Sequence, residues 1–189
     1  MPLYFILFLC TLGASALLFM GALLTAAITR RPPPALLQGR AAERLQLLQL
    51  ALAWSNVGVA WLLYFNVYPI HVDMAALGDV ALKAYGRGYT TRLPIVVLPF
   101  AAGALAAALG LWATPGRFTR RALWGIATLW MLSLVSTPWA AGAQGDMHDH
   151  GFSDAAFRQL QLAHLARSVC VTMAAVWALL QVKRPTPAA

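Results

Sequence analysis

Long apolar runs alternate with short polar segments along this chain, and the apolar run recurs five times. The runs cover approximately residues 3–27, 47–68, 93–113, 122–141 and 163–182. Each has about the 20 residues that a helix needs to cross the hydrocarbon core of a bilayer. Because lipid offers the backbone no hydrogen-bond partner, and because the runs do not alternate as barrel strands do, each is expected to be helical. The sequence therefore predicts an all-α fold: a single domain, residues 1–189, forming an integral membrane bundle of five transmembrane helices.

The composition supports an integral membrane protein and limits the kinds of partner that the chain can bind. Hydrophobic residues make up 60% of the chain and charged residues only 11%, far from the usual mixture of a water-soluble domain. The net charge of +8 is compatible with nucleic-acid binding, but the basic residues lie in short clusters between apolar runs instead of on one continuous face. We therefore expect the partner to be a lipid bilayer and no nucleic acid, and the location to be a cell membrane, such as the bacterial inner membrane, which the chain crosses several times.

The basic residues also predict an orientation. Nine of them fall in the segments that join helices 1 to 2 and 3 to 4 and in the C-terminal segment, whereas the opposite side holds five, mixed with five aspartates. By the positive-inside rule the side with nine faces the cytoplasm. The N-terminus is then outside and the C-terminus inside.

The first outer connection, residues 71–92, is predicted to contain a short interfacial helix. Asp73 can cap it, its apolar residues share one face, and Gly86 and Gly88 would end it. Such a helix lies on the outer leaflet, either as a lid over the bundle or simply as a support for a long connection.

All four histidines fall on the predicted outer side, and they suggest a metal site. The second outer connection, residues 143–155, is expected to be a loop and reads AQGDMHDHGFSDA. Imidazole and carboxylate groups are ligands for transition metals such as copper, zinc or iron. The candidate ligands are His71, His148, His150, His164, Asp146 and Asp149. The alternative is that this segment is only a solvated loop.

The last helix offers a second kind of site. His164 and Arg167 are one helical turn apart, and Arg167 lies about one turn inside the apolar run. A guanidinium at the bilayer centre costs about 2.5 kcal/mol or more, so Arg167 is expected to face a ligand or a partner inside the bundle, or else to extend towards the interface. We interpret His164 as a candidate acid/base group and Arg167 as a candidate for orienting an anionic or carbonyl group.

A family resemblance is carried by the same segment. The stretch FRQLQLAHLARS, with Phe157, His164 and Arg167, resembles the start of the last helix in small bacterial membrane proteins related to anthrone oxygenases. The resemblance covers twelve residues, and this chain has one predicted helix more than that group. It implies oxidation of a lipophilic aromatic substrate near the outer leaflet, with His164 and Arg167 at the site.

Two function classes follow from these observations. In the first, the protein is a small membrane oxidoreductase with a His/Asp site at the extracytoplasmic face, which binds a metal through the candidate ligands above and acts on a lipophilic substrate. In the second, it is a non-catalytic subunit or assembly factor of a larger membrane complex, or a homo-oligomer, whose outer segments contact a partner.

Overall fold

The computed structural model describes residues 3–30, 36–92, 94–114 and 118–182, and almost all of these are helical. The helices are α1 (Leu3–Thr29), α2 (Gly39–Leu62), α3 (Ile70–Ala76), α4 (Asp79–Arg92), α5 (Pro94–Ala113), α6 (Arg120–His150) and α7 (Asp154–Val182). A π-helical turn, Leu63–Val67, joins α2 to α3. Five helical stretches, namely α1, α2 with α3, α5, α6 and α7, are long and apolar enough to cross a membrane. The all-helical fold of the described residues, with five helical stretches of membrane-spanning length and hydropathy, is thus confirmed.

Contacts between helices that are distant in the sequence define two ends of the bundle. At one end, the Leu37 amide donates to the Ala113 carbonyl at 3.0 Å, which ties the start of α2 to the end of α5. At the other, Tyr4 near the start of α1 lines the same groove as His148 near the end of α6. We call this second end, which carries His71, His148 and His150, the histidine end.

The core lies between α1, α2, α5, α6 and α7. Phe19 of α1 stacks on Trp130 of α6 with 6.3 Å between ring centroids, and both side chains are fully buried. Small residues let α5 approach α2 closely: a Cβ added at Gly103 would run into the Asn56 amide, and one added at Gly110 into the Gln49 amide. Apolar packing in the middle of the bundle therefore fixes the helices whose ends form the site.

Three helical stretches extend beyond the predicted spans at the histidine end. The α2–α3 stretch continues to Ala76, α6 continues to His150, and α7 already begins at Asp154. The loop predicted over residues 143–155 is therefore wrong, because only Gly151–Ser153 joins the two helices, with Gly151 at a φ of 95° that favours glycine. Hydropathy marks where lipid contact ends, but helices can continue into water if they still pack on each other.

The connection between α3 and α5 is also helical, with bounds that differ from the predicted ones. The chain breaks at Gly78, whose φ is 99°, and Gly86 and Gly88 lie inside α4 instead of ending it. Gly86 has a packing role in α4, described below, which the interpretation of glycine as a helix terminator overlooks.

Candidate functional site

A cavity of about 690 Å³ opens between α1, α5 and α6 near the histidine end. Its walls are mainly apolar and include Phe5, Phe8 and Leu12 of α1 and Met131 and Leu134 of α6. One part of the lining is polar, and its members come from four different segments of the chain: Tyr68, Tyr89, Gln144, His164 and Arg167. An apolar cavity of this size with a few converging polar groups is typical of a small-molecule site.

Neutral groups hold the guanidinium of Arg167. Its Nε donates to the Ser136 hydroxyl at 3.3 Å and its Nη2 to the Thr137 hydroxyl at 3.1 Å. Ser136 in turn donates to the Ser133 carbonyl at 2.7 Å, which leaves its oxygen lone pairs for Arg167. The guanidinium carbon also lies 5.4 Å from the centre of the Phe100 ring. No carboxylate forms an ion pair with Arg167 within residues 3–30, 36–92, 94–114 and 118–182. The two hydroxyls use two of the five N–H groups of the Arg167 guanidinium.

His164 lies one turn before Arg167 on α7 and is 2% exposed. Its ring packs on Tyr68 with 4.1 Å between centroids. Its Nδ1 is buried, and no described residue gives it a hydrogen bond. Because a buried nitrogen without a partner costs about 1–3 kcal/mol, this atom is a natural contact point for a polar group of a ligand.

Two tyrosines complete the polar end of the cavity. The hydroxyls of Tyr68 and Tyr89 lie 3.4 Å apart, one from the π-helical turn region and one from α4. Burial raises the pKa of Tyr89, so this phenol stays neutral near physiological pH and can donate a hydrogen bond. Tyr68 reaches this position because the turn that precedes it is π-helical. The Tyr68 amide donates to the carbonyl of Leu63, five residues earlier, at 2.9 Å.

A wall of aromatic rings closes the cavity towards the histidine end. We call the set Tyr68, His71, Tyr85 and Tyr89 the aromatic wall. The Tyr85 ring meets the His71 ring edge to face at 5.0 Å, and the Tyr85 hydroxyl donates to the Val67 carbonyl at 3.0 Å. Burial, with a contribution from neighbouring Tyr89, raises the pKa of Tyr85 to about 12. Tyr85 is therefore a neutral phenol that donates a hydrogen bond within the wall.

His71 is the fully buried member of the wall. Its Nδ1 lies 3.0 Å from the Tyr68 carbonyl, and because a carbonyl only accepts, Nδ1 carries the proton. Its Nε2 is then the acceptor nitrogen, and no described residue bonds to it. The His71 ring stacks on His148 with 5.5 Å between centroids and 7° between planes. His148 itself lies against Gly86, where a Cβ would come within 2.7 Å of the imidazole ring.

On the far side of the wall lies a groove of about 780 Å³ that opens at the histidine end. Its lining includes charged and other polar side chains and combines residues of α1, α4 and α6: Tyr4, Lys83, Gly86, Arg87, Thr91, Gly145, His148 and Asp149. The groove and the cavity share no lining residue. The aromatic wall thus separates two spaces with different sets of charged side chains: Lys83, Arg87 and Asp149 line the groove, and Arg167 lines the cavity.

The residues predicted from the sequence fall into three places. His164 and Arg167 meet at the cavity, as a pair on one face of α7. His71 and His148 stack at the wall, and Asp149 lines the groove. His150 and Asp146 bond to each other at 2.9 Å on an exposed surface, with side chains 78% and 59% exposed.

These places do not converge on a metal site. The described parts of the chain contain no group of three or more His, Cys, Asp or Glu side chains that could hold a metal ion. His148 and His150 cannot chelate one metal ion together because both lie in the helix α6. With 3.6 residues per turn, two residues at this spacing point about 200° apart around the helix axis. The prediction that both bind one metal assumed an extended loop.

Several residues of the site were not expected from the sequence. Tyr68 had the pattern of an interfacial aromatic residue, and Tyr89 lay in a connection without any assigned role. Ser136 and Thr137 are adjacent hydroxyls in an apolar run, and that pair was the available signal for a polar partner of Arg167. The contact between Tyr68 and Tyr89 depends on the π-helical turn, for which the sequence offers no clear signal.

A scan against family models and searches of curated proteins and of solved structures found no match for this chain. The functional argument therefore starts from the geometry of the cavity.

Proposed function

We propose that the cavity binds a lipophilic molecule with an acidic hydroxyl or an enolisable carbonyl group at its head, and that His164 and Arg167 remove a proton from it and stabilise the anion. One observation carries this proposal: an apolar cavity of about 690 Å³ is lined at its polar part by a histidine and by an arginine that has no described acid partner. Apolar walls suit a hydrocarbon skeleton, and the polar part suits a single oxygen-bearing group.

Arg167 supplies the electrostatic part. A guanidinium held only by hydroxyls keeps its full positive charge and has further N–H groups to donate. A phenolate or enolate oxygen beside it would gain a charge-assisted hydrogen bond in surroundings of low polarity, where such bonds are strong. Ser136 and Thr137 hold the guanidinium in place, so little reorganisation is needed when the anion forms.

His164 supplies the acceptor for the proton. Its buried Nδ1 has no described partner, which makes it available to the hydroxyl of a bound ligand. Tyr89 is a neutral phenol and can donate a second hydrogen bond to the oxygen that becomes negative. The three groups together match the requirements of proton abstraction: a base, a positive charge and a neutral donor.

We further propose that the protein is an oxidoreductase, as expected from the sequence, and that the anion formed by this proton abstraction is the species that is oxidised. An enolate or phenolate is oxidised more easily than its protonated parent because it already carries the negative charge. Dioxygen dissolved in the membrane or a quinone would be the electron acceptor. The described residues do not provide a common metal site, so we assign no role to a metal in this reaction.

The positive-inside rule supports the placement of the histidine end on the extracytoplasmic side, with the N-terminus out and the C-terminus in. In this orientation α4 is the candidate interfacial helix, and the cavity lies in the outer half of a bacterial inner membrane. The substrate would then be bound from the outer leaflet.

The test uses 4-nonyl-2-nitrophenol, a lipophilic phenol whose ionised form is yellow, in phosphatidylcholine vesicles that contain the protein. We expect the wild type to lower the pKa of the bound phenol relative to protein-free vesicles. Arg167→Gln should weaken binding of the ionised probe by about 10- to 100-fold, since a hydrogen bond to a charged group contributes about 1.5–3 kcal/mol. His164→Asn should keep binding of the neutral phenol and reduce the yellow form.

Arg158→Gln is the matched control, because Arg158 is an exposed arginine of the same helix that does not line the cavity. It should bind the probe as the wild type does. If the wild type causes no change in the absorption of the probe, or if Arg158→Gln loses as much affinity as Arg167→Gln, the proposal is wrong. The alternative class, a non-catalytic subunit or assembly factor, would then be favoured.

A further inference from the structure

The cavity has an opening on the side of the bundle, between α1 and α6. Several of its lining residues are themselves exposed: Leu9 is 46% exposed and Val135 is 64% exposed. Gly13 of α1 and Pro138 and Ala141 of α6 are also exposed members of the lining. Residues 9 and 13 are one turn apart on α1, and residues 135, 138 and 141 follow at steps of three on α6, so each helix contributes one continuous stripe. We call the gap between the two stripes the lateral opening.

The lateral opening lies at the depth of the apolar spans. Its two helices are candidate membrane spans, and every residue named in the two stripes is apolar or glycine. Arg167 is thirteen residues from the start of α7, which corresponds to about 20 Å along the helix axis. In a bilayer, hydrocarbon and not water would therefore face this gap.

The other approach to His164 and Arg167 is closed by the aromatic wall. Tyr68 and His71 are 2% and 0% exposed, and the Tyr68 ring packs directly on His164. A molecule arriving in the groove would meet His148, behind which the His71 ring is stacked. A ligand of more than a few atoms can reach the polar part of the cavity from the side of the bundle without moving these rings.

We infer that the substrate is a bilayer-resident amphiphile, a phenol or an enolisable ketone with a long hydrocarbon tail, which enters through the lateral opening and keeps its tail between α1 and α6 while its head contacts Arg167. This inference rests on the proposed function of the cavity. It names the class of substrate and the route, neither of which follows from His164 and Arg167 alone.

Gly13 is the position that tests this route. A Cβ added there would have no heavy atom within 4 Å, so a side chain at this position would extend into open space at the edge of the gap. Gly13→Phe should slow the binding of 4-nonyl-2-nitrophenol, measured by stopped flow in phosphatidylcholine vesicles, by about tenfold or more, the effect of a barrier higher by about 1.4 kcal/mol.

Gly58→Phe provides the matched control. Gly58 is an exposed glycine of α2 whose added Cβ would also meet open space, but it does not line the cavity. This variant should bind the probe at nearly the wild-type rate, and thermal unfolding should show that both variants remain folded. If the wild type binds the probe and Gly13→Phe is no slower than Gly58→Phe, the lateral route is wrong while the proposed function stands. If the wild type does not bind the probe at all, the proposed function fails first.

Discussion

The cavity and the groove lie close together at the same end of the bundle and have similar volumes, yet they differ in the charged side chains that line them. The cavity is lined mainly by hydrocarbon and holds one positive charge with neutral partners, whereas the groove is lined by Lys83, Arg87 and Asp149 together with other polar groups. The aromatic wall separates them. The comparison shows that the four histidines, which look equivalent in the sequence, lie in four environments: His164 in the cavity, His71 in the wall, His148 in the groove against His71, and His150 on the solvent-exposed surface.

Accessibility labelling should give the largest contrast between the two spaces. Gly145 lines the groove and Ala141, one turn earlier on α6, lines the cavity. In a background of Cys10→Ala and Cys170→Ala, we expect Gly145→Cys to react almost completely with a membrane-impermeant maleimide added to intact cells. Ala141→Cys should hardly react, because a thiol in hydrocarbon is not ionised. Labelling of Gly145→Cys from the cytoplasmic side alone would show that the orientation is reversed.

A substitution at the contact between α4 and α6 should lower the stability of the protein and leave the cavity intact. Gly86→Ala places a methyl group against the His148 ring, so we expect a loss of about 1–3 kcal/mol in stability from overpacking. Gly88→Ala, in the same helix, meets no heavy atom within 4 Å and should be neutral or stabilising by up to about 1 kcal/mol. Thermal unfolding in detergent measures both.

The double variant Gly86→Ala with His148→Ala supplies the internal check on that interpretation. Removing the imidazole should relieve the collision and recover part of the lost stability. Equal melting temperatures for the Gly86→Ala and Gly88→Ala variants would contradict the proposed contact between α4 and His148.

The smallest effect is expected from two tyrosines that are one turn apart on α4. Tyr85→Phe removes the hydrogen bond to the Val67 carbonyl and should cost about 0.5–1.5 kcal/mol of stability, with no change in nitrophenol affinity. Tyr89→Phe should weaken nitrophenol binding about two- to tenfold, because Tyr89 lines the cavity and Tyr85 does not. If Tyr85→Phe weakened nitrophenol binding and Tyr89→Phe lowered only the stability, the assigned position of the aromatic wall relative to the cavity would be wrong.

The sequence predicted the number and class of the helices well because lipid imposes a simple requirement. A backbone that crosses hydrocarbon has to be helical, so five apolar runs become five spans. The helix ends at the histidine end were predicted poorly, since beyond the bilayer a helix such as α6 continues for as long as it packs on its neighbour α7. Aspartates and histidines at residues 146–150 looked like a loop by composition, but they are compatible with a helix that is already formed.

The site was predictable in part for a similar reason. A charge inside an apolar run is costly, and this singled out Arg167 and, with it, His164 on the same face. The partners of this pair come from other helices: Thr137 from α6, Tyr68 from the π-helical turn region and Tyr89 from α4. Contacts between segments so far apart depend on how the helices pack and rotate, which hydropathy and spacing do not determine.

The π-helical turn at Leu63–Val67 has a consequence for how this protein tolerates change in length. Such a turn accommodates one residue more than an α-helix would, so it rotates everything after it by about 100° about the helix axis. Removing a single residue from this short stretch would rotate Tyr68 and His71 away from the interior together, so one deletion would disrupt both the lining of the cavity and the stacked imidazoles.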